Sequence, residues 1–127
     1  MARAQVANEF LILIGVGLIF MMIILYGVSN NMKFLVAKKE QNAIRDLGFS
    51  IQNEFFFASN VKDGYYREFN VPEVHNGVKY SITMNQGYLM LTSNSGQYQE
   101  FAIPQVIGNI KKGTNNITRI GGVIYLN

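Results

Sequence analysis

Cysteine and tryptophan are absent from this 127-residue chain, histidine occurs once and proline twice. Without cysteine no disulfide staples the fold and no thiolate is available as a nucleophile or metal ligand. The single histidine, His75, has no partner with which to complete a zinc set. It stands in Glu73-Val74-His75-Asn76-Gly77, which reads as an exposed turn. The acidic residues of the C-terminal half, Asp63, Glu68, Glu73 and Glu100, are joined by no motif. The glycine-rich pieces lack the following helix and the Lys-Ser/Thr pair of a phosphate cradle. Basic residues are scattered, adjacent only at Lys38-Lys39 and Lys111-Lys112, and the net charge is +3, so there is no nucleic-acid footprint. The expectation is a protein that is not an enzyme and takes no cofactor, metal or nucleic acid.

Charge is also missing where the chain is most apolar. Residues 5–28 read QVANEFLILIGVGLIFMMIILYGV, and the nineteen residues from Phe10 to Val28 carry no charge. That is about the length of a helix that crosses a bilayer. Residues 1–4, MARA, are short for the basic region of a secretory signal, and no Ala-x-Ala site follows the run. Glu9 precedes the run. A carboxylate costs about 2.5–3.5 kcal/mol at the bilayer centre and less at the edge, so an interfacial position near a helix N-terminus accounts for a lone glutamate.

No proline occurs before Pro72, so nothing forces a break between this run and the next segment, residues 29–60. There Met32, Leu35, Val36, Ala43, Ile44, Leu47, Ile51, Phe55 and Ala58 recur at spacings of mostly three and four, the signature of an amphipathic helix. Gly27-Val28-Ser29-Asn30-Asn31 could unwind, and Gly48 costs roughly 1 kcal/mol in a helix interior. A continuous helix over 5–58 would be a rod roughly 80 Å long. Its second half has an apolar stripe that needs a cover.

Residues 61–127 alternate strand-like runs with turn signals. Strands are expected near Tyr65–Asn70, Val78–Met84, Tyr88–Thr92, Tyr98–Ile103, Ile107–Ile110, Asn116–Ile120 and Val123–Leu126. Between them stand Asn76-Gly77, Asn85-Gln86-Gly87, Ser93-Asn94-Ser95-Gly96, Lys112-Gly113 and Gly121-Gly122. Such short connections predict a small antiparallel meander whose one apolar face covers the helix stripe, with Pro72 and Pro104 at strand ends or edges. The fold class is therefore α+β, a long N-terminal helix packed on a small antiparallel β head. Asn116-Ile117-Thr118 matches the glycosylation triplet, and an ordinary strand asparagine is the alternative.

The order Arg3-Ala4-Gln5-Val6-Ala7-Asn8-Glu9-Phe10, followed at once by the apolar run, resembles the class III signal sequence of archaeal type IV pilin-like proteins. The family pattern is a basic residue, Gly or Ala, the cut, then Q-x-S-x-E-F; Ala7 stands here where the family most often has Ser. A long amphipathic continuation with a β-only head is similar to short archaeal adhesion pilins. The resemblance implies that residues 1–4 are a leader, that a prepilin peptidase cuts between Ala4 and Gln5, and that residues 5–28 stay on the chain. It implies a membrane-held precursor, lifted by an assembly ATPase and a membrane platform protein into an extracellular helical homo-oligomer used for adhesion. Glu9, with Phe10 beside it, would be the assembly residue, its carboxylate meeting the new amine of Gln5. On charge alone, Arg3 before the run and Lys33, Lys38 and Lys39 after it would place the head in the cytoplasm, opposite to what the resemblance implies. The alternatives are a minor pilin-like component and a single-pass membrane protein with an extracytoplasmic binding domain.

Overall fold

A computed structural model describes residues 2–127, with side chains described from Val6 onward. Its first element, helix α1, runs Ala2–Asn60 without interruption, so the glycine–asparagine stretch at 27–31 stays helical. The chain divides into two compact units, Met1–Val36 and Ala37–Asn127.

In the first unit α1 carries its apolar side chains to the outside all round, from Phe10 through Val28 and on to Met32, Phe34, Leu35 and Val36. This corrects one expectation. Met32, Leu35 and Val36 continue the stripe in spacing, yet all three are exposed; burial begins only at Ala43.

In the second unit the remaining turns of α1 are followed by eight strands: β1 (Tyr66–Val71), β2 (Val74–His75), β3 (Val78–Asn85), β4 (Tyr88–Ser93), β5 (Tyr98–Ala102), β6 (Val106–Gly108), β7 (Gly113–Ile120) and β8 (Val123–Leu126). They form two four-stranded sheets, ordered β2-β3-β4-β5 and β1-β7-β8-β6. The first is the expected meander, turned by two-residue loops at Asn76-Gly77, both at positive φ, and at Gln86-Gly87. The second is not. There β1 pairs antiparallel with β7, Tyr66 opposite Thr118, and β6 lies parallel to β8, Ile107 beside Tyr125. A single meander is thus overturned. Alternation fixes which face of a strand is buried but not which strand lies beside it, and β1–β7 closes a loop of about fifty residues that no local signal announces. Pro72 directly follows β1, and Pro104 lies in the link where the chain leaves β5 for β6, so both prolines punctuate strand ends.

The helix supplies Ile44, Leu47, Ile51, Phe55 and Ala58 to one apolar core. Alternate residues of both sheets meet them: Val71, Leu89, Leu91, Phe101, Ile117, Ile124 and Leu126. This mutual cover lets a thin β head and a one-sided helix fold together. Two polar devices lock the joint, and a third orders the head itself. Arg119 on β7 donates to the carbonyls of Ala58 and Ser59, capping the last turn of a helix that has no basic residue of its own there. Glu40 accepts from Ser93, at 3.0 Å, and from Ser95, tying the β4–β5 turn to α1. Fully buried Asn115 staples the β7 entry by donating to Lys111 O and Gly113 O at 2.7 and 2.9 Å and accepting from Lys111 N at 2.9 Å.

Candidate functional site

A stretch of α1 whose large apolar side chains find no partner within the protein is the feature to explain. Sixteen such side chains between Phe10 and Val28 are exposed. At about 1.5–3 kcal/mol for each fully covered, leaving them in water forgoes at least ~24 kcal/mol. Contiguous exposure on this scale marks a membrane or protein contact. Among the described residues α1 is the one helix long and apolar enough to cross a membrane, with mean hydropathy 2.8 over its best window and none of that window buried. A helix of this kind near the N-terminus is consistent with membrane insertion.

Glu9 and Phe10 are both exposed at the head of this stretch, and the next charged residue along the helix is Lys33. Consecutive residues on a helix diverge by about 100°, so the two present different faces to whatever covers the segment. Arg3, Ala4 and Gln5 belong to the backbone of α1, and their side chains lie outside the described residues. The bond between Ala4 and Gln5 is thus inside the helix, and a peptidase acting there must unwind its first turn.

The head presents no reactive constellation among the described residues: no group of three or more His, Cys, Asp or Glu side chains could hold a metal. His75 is not in a turn, as expected, but in the short edge strand β2, where its Nε2 lies 3.3 Å from Asn76 Nδ2. The signal missed was that Asn76-Gly77 is the whole turn, which leaves Val74 and His75 free to pair with Lys79 and Val78. Tyr80 is buried beside β2, with its hydroxyl donating to Pro72 O and Lys112 Nζ 4.6 Å over its ring. Burial, and secondarily the Glu73 carboxylate, push its hydroxyl up to about 12. A shallow depression of about 230 Å³ between Asn85-Gln86-Gly87 and Val106–Asn109 is lined by amides, backbone and a few apolar side chains, with no charged group. Asn116 lies mid-strand in β7, half-buried, its side chain on the solvent side of the sheet.

No protein family, no curated protein and no solved structure matches this chain. The class is therefore what fold and surface define: an α+β protein in which one long N-terminal helix, apolar enough to enter a membrane over its first half, packs its second half into an antiparallel-rich β head. That architecture is compatible with a pilin.

Proposed function

We propose that this chain is the structural subunit of an archaeal type IV pilus-like extracellular filament for adhesion, held in the membrane as a precursor and afterwards bundled through its apolar helix segments. One observation carries the reading over a plain membrane anchor. The uncharged run from Phe10 to Val28 spans about 27 Å at 1.5 Å per residue, which fills a hydrocarbon layer of about 30 Å. Val36 lies about 39 Å from Phe10 on the same measure, beyond that layer. Yet Phe34, Leu35 and Val36 are 65%, 57% and 53% exposed, past the charge of Lys33. Lipid covers the first set and leaves the second in contact with headgroups or water. A bundle of parallel copies covers both.

On this reading residues 1–4 are removed by a prepilin peptidase, and an assembly ATPase with its platform protein extracts the subunit. Glu9 is the assembly residue in the water-poor bundle, where an unpaired charge costs several kcal/mol and pairing with the Gln5 amine fixes register. Open helical polymers arise from such heterologous contacts.

The test is mass spectrometry of filaments sheared from cells. A subunit beginning at Gln5 supports the reading, whereas recovery only of the intact Met1 form in the membrane fraction refutes it. Leu35→Gln/Val36→Gln should still insert as a precursor but yield no filament, and Glu9→Ala should be cleaved but not assembled. Wild-type filament yield from either variant removes the role assigned to those residues. The second reading is an unprocessed single-pass protein with an extracytoplasmic binding head; Lys33, Lys38 and Lys39 after the run weigh against that orientation as they do against the first. Its signature is retention of residues 1–4 with no polymer.

A further inference from the structure

The outer face of the sheet β1-β7-β8-β6 mixes aromatic and apolar side chains with small polar ones and is nearly uncharged. One cross-strand row runs Tyr66–Thr118–Tyr125–Ile107, each residue directly beside the next in register. Tyr66, Ile107 and Tyr125 are 61%, 51% and 39% exposed. Among the described residues the one charged side chain on this face is Glu68, on the edge strand β1 and directly opposite Asn116. The chain's one Asn-x-Ser/Thr triplet sits at the centre of the same face. Strand geometry fixes which way the triplet faces. Within the triplet Ile117 is fully buried, while Asn116 and Thr118, two residues apart, both point outward. Asn116 is held by its oxygen, with the Tyr66 hydroxyl donating to Oδ1 at 3.3 Å, and Nδ2 makes no hydrogen bond among the described residues. The amide nitrogen that a glycan requires is the free end of a positioned side chain.

We infer that Asn116 carries an N-linked glycan that lies over the Tyr66–Tyr125 row, making this sheet face a sugar-covered outer wall and not a contact between heads. Tyrosine suits that cover, presenting an apolar ring to the sugar's C–H face and a hydroxyl to its edge. A branched, hydrated substituent at the centre of the face also keeps a second protein off it. Attachment forms a bond from Asn116 Nδ2 to the anomeric carbon of an oligosaccharide carried on a polyprenyl pyrophosphate. The bond from that carbon to the carrier's oxygen breaks, the electron pair leaves with the pyrophosphate, and an Nδ2 proton passes to a base of the transferase. Since β7 is clamped between β1 and β8, the transferase meets the triplet before those strands close. The inference rests on the proposed reading only in needing the head outside the cytoplasm.

The experiment uses the native full-length protein. Trypsin releases Gly113–Arg119, and fragmentation of that peptide locates any added mass on Asn115 or Asn116. Expected is a saccharide mass on Asn116, lost in Asn116→Gln and Thr118→Val and kept in Thr118→Ser. Nitration of Tyr66 and Tyr125 should be several-fold slower in the glycosylated protein than in Asn116→Gln, with Tyr98, which is exposed on the other sheet, unchanged. Protease digestion of intact cells locates the head independently. An unmodified peptide from a head shown to be outside overturns the inference and leaves the filament reading standing. A protected, cytoplasmic head with an unmodified peptide overturns both. A modified Asn116 with unchanged tyrosine reactivity overturns the covering of the face.

Discussion

Replacing Gly48 by alanine should destabilise the head, although helix propensity taken alone says the reverse. Alanine is favoured over glycine by about 1 kcal/mol in a helix interior. Gly48, however, is where the Phe101 ring of β5 rests on the α1 backbone. A Cβ there would lie 2.1 Å from Phe101 Cε2, 2.2 Å from Cζ and 2.7 Å from Cδ2. Carbon atoms sit at about 3.5–4.0 Å, so the ring must retreat by well over an ångström. It has nowhere to go. Phe101 is 5% exposed, lies opposite Leu89 and meets the Phe49 ring edge-on at 5.3 Å. Overpacking of this kind costs typically 1–3 kcal/mol, and a displacement this large belongs in the upper part of that range. Set against the ~1 kcal/mol gain, the net loss is about 1–2 kcal/mol, or roughly 5–15 °C in Tm for a unit of this size. The assay is thermal and urea unfolding of the detergent-solubilised chain, followed by the near-ultraviolet dichroism of its tyrosines. In a Phe101→Leu background, where the two closest ring atoms, Cε2 and Cζ, are removed, the same Gly48→Ala change should become neutral or stabilising, a change of sign that only contacting residues give. If Gly48→Ala alone raises Tm by the increment that propensity predicts, Phe101 is not seated on Gly48 and the packing described here is wrong.

Gly108→Ala should cost about 2–3 kcal/mol in the same assay, since Gly108 has φ +117° and an added Cβ would fall 2.0 Å from Leu126 O, a backbone atom that cannot retreat without parting β6 from β8. For Tyr80, a pKa raised from about 10 unfolded to about 12 folded means the native state holds this proton more tightly; its contribution is whole below pH 10 and is lost as pH rises through 10 to 12. The fall in Tm across that window should therefore be smaller in Tyr80→Phe than in wild type. Deleting residues 1–36 should leave a soluble head with the wild-type pattern of strand protection in hydrogen exchange, because the buried helix residues begin at Ala43; a head that unfolds on losing this segment would contradict the division into two units.

Periodicity made the helix legible, because each of its residues reports independently. Ala43, Ile44, Leu47, Ile51, Phe55 and Ala58 are all buried as their spacing requires. Turn chemistry made the meander legible: where Asn76-Gly77 stands, only an I′-type reversal accommodates two successive positive φ values. The partnership of β1 with β7, and of β6 with β8, was hidden for a common reason. Both are chosen by which inward faces complete the core around Phe55 and Leu47, a three-dimensional fit that leaves no mark at any single position. Gly48 shows the same limit at one residue. In sequence it is only a weak helix former; its purpose is legible once Phe101, fifty-three positions later, is seen against it.

The candidate site divides along the same line. Length and the absence of charge between Glu9 and Lys33 were enough to single out the apolar segment. Where its cover must end was not, because Met32, Leu35 and Val36 continue the amphipathic spacing of the residues that the head does bury. Structure separates two sets that spacing had merged: from Ala43 onward the stripe is satisfied within the chain, and up to Val36 it is not. The apolar surface left over is thus longer than a hydrocarbon layer and interrupted by Lys33, whose long stem allows its charge to reach water while its neighbours stay covered. A surface of that length and composition calls for cover that is apolar along the helix yet tolerates a lysine at its flank. The bundle of like helices proposed above, each offering the same sequence of faces, would meet both requirements.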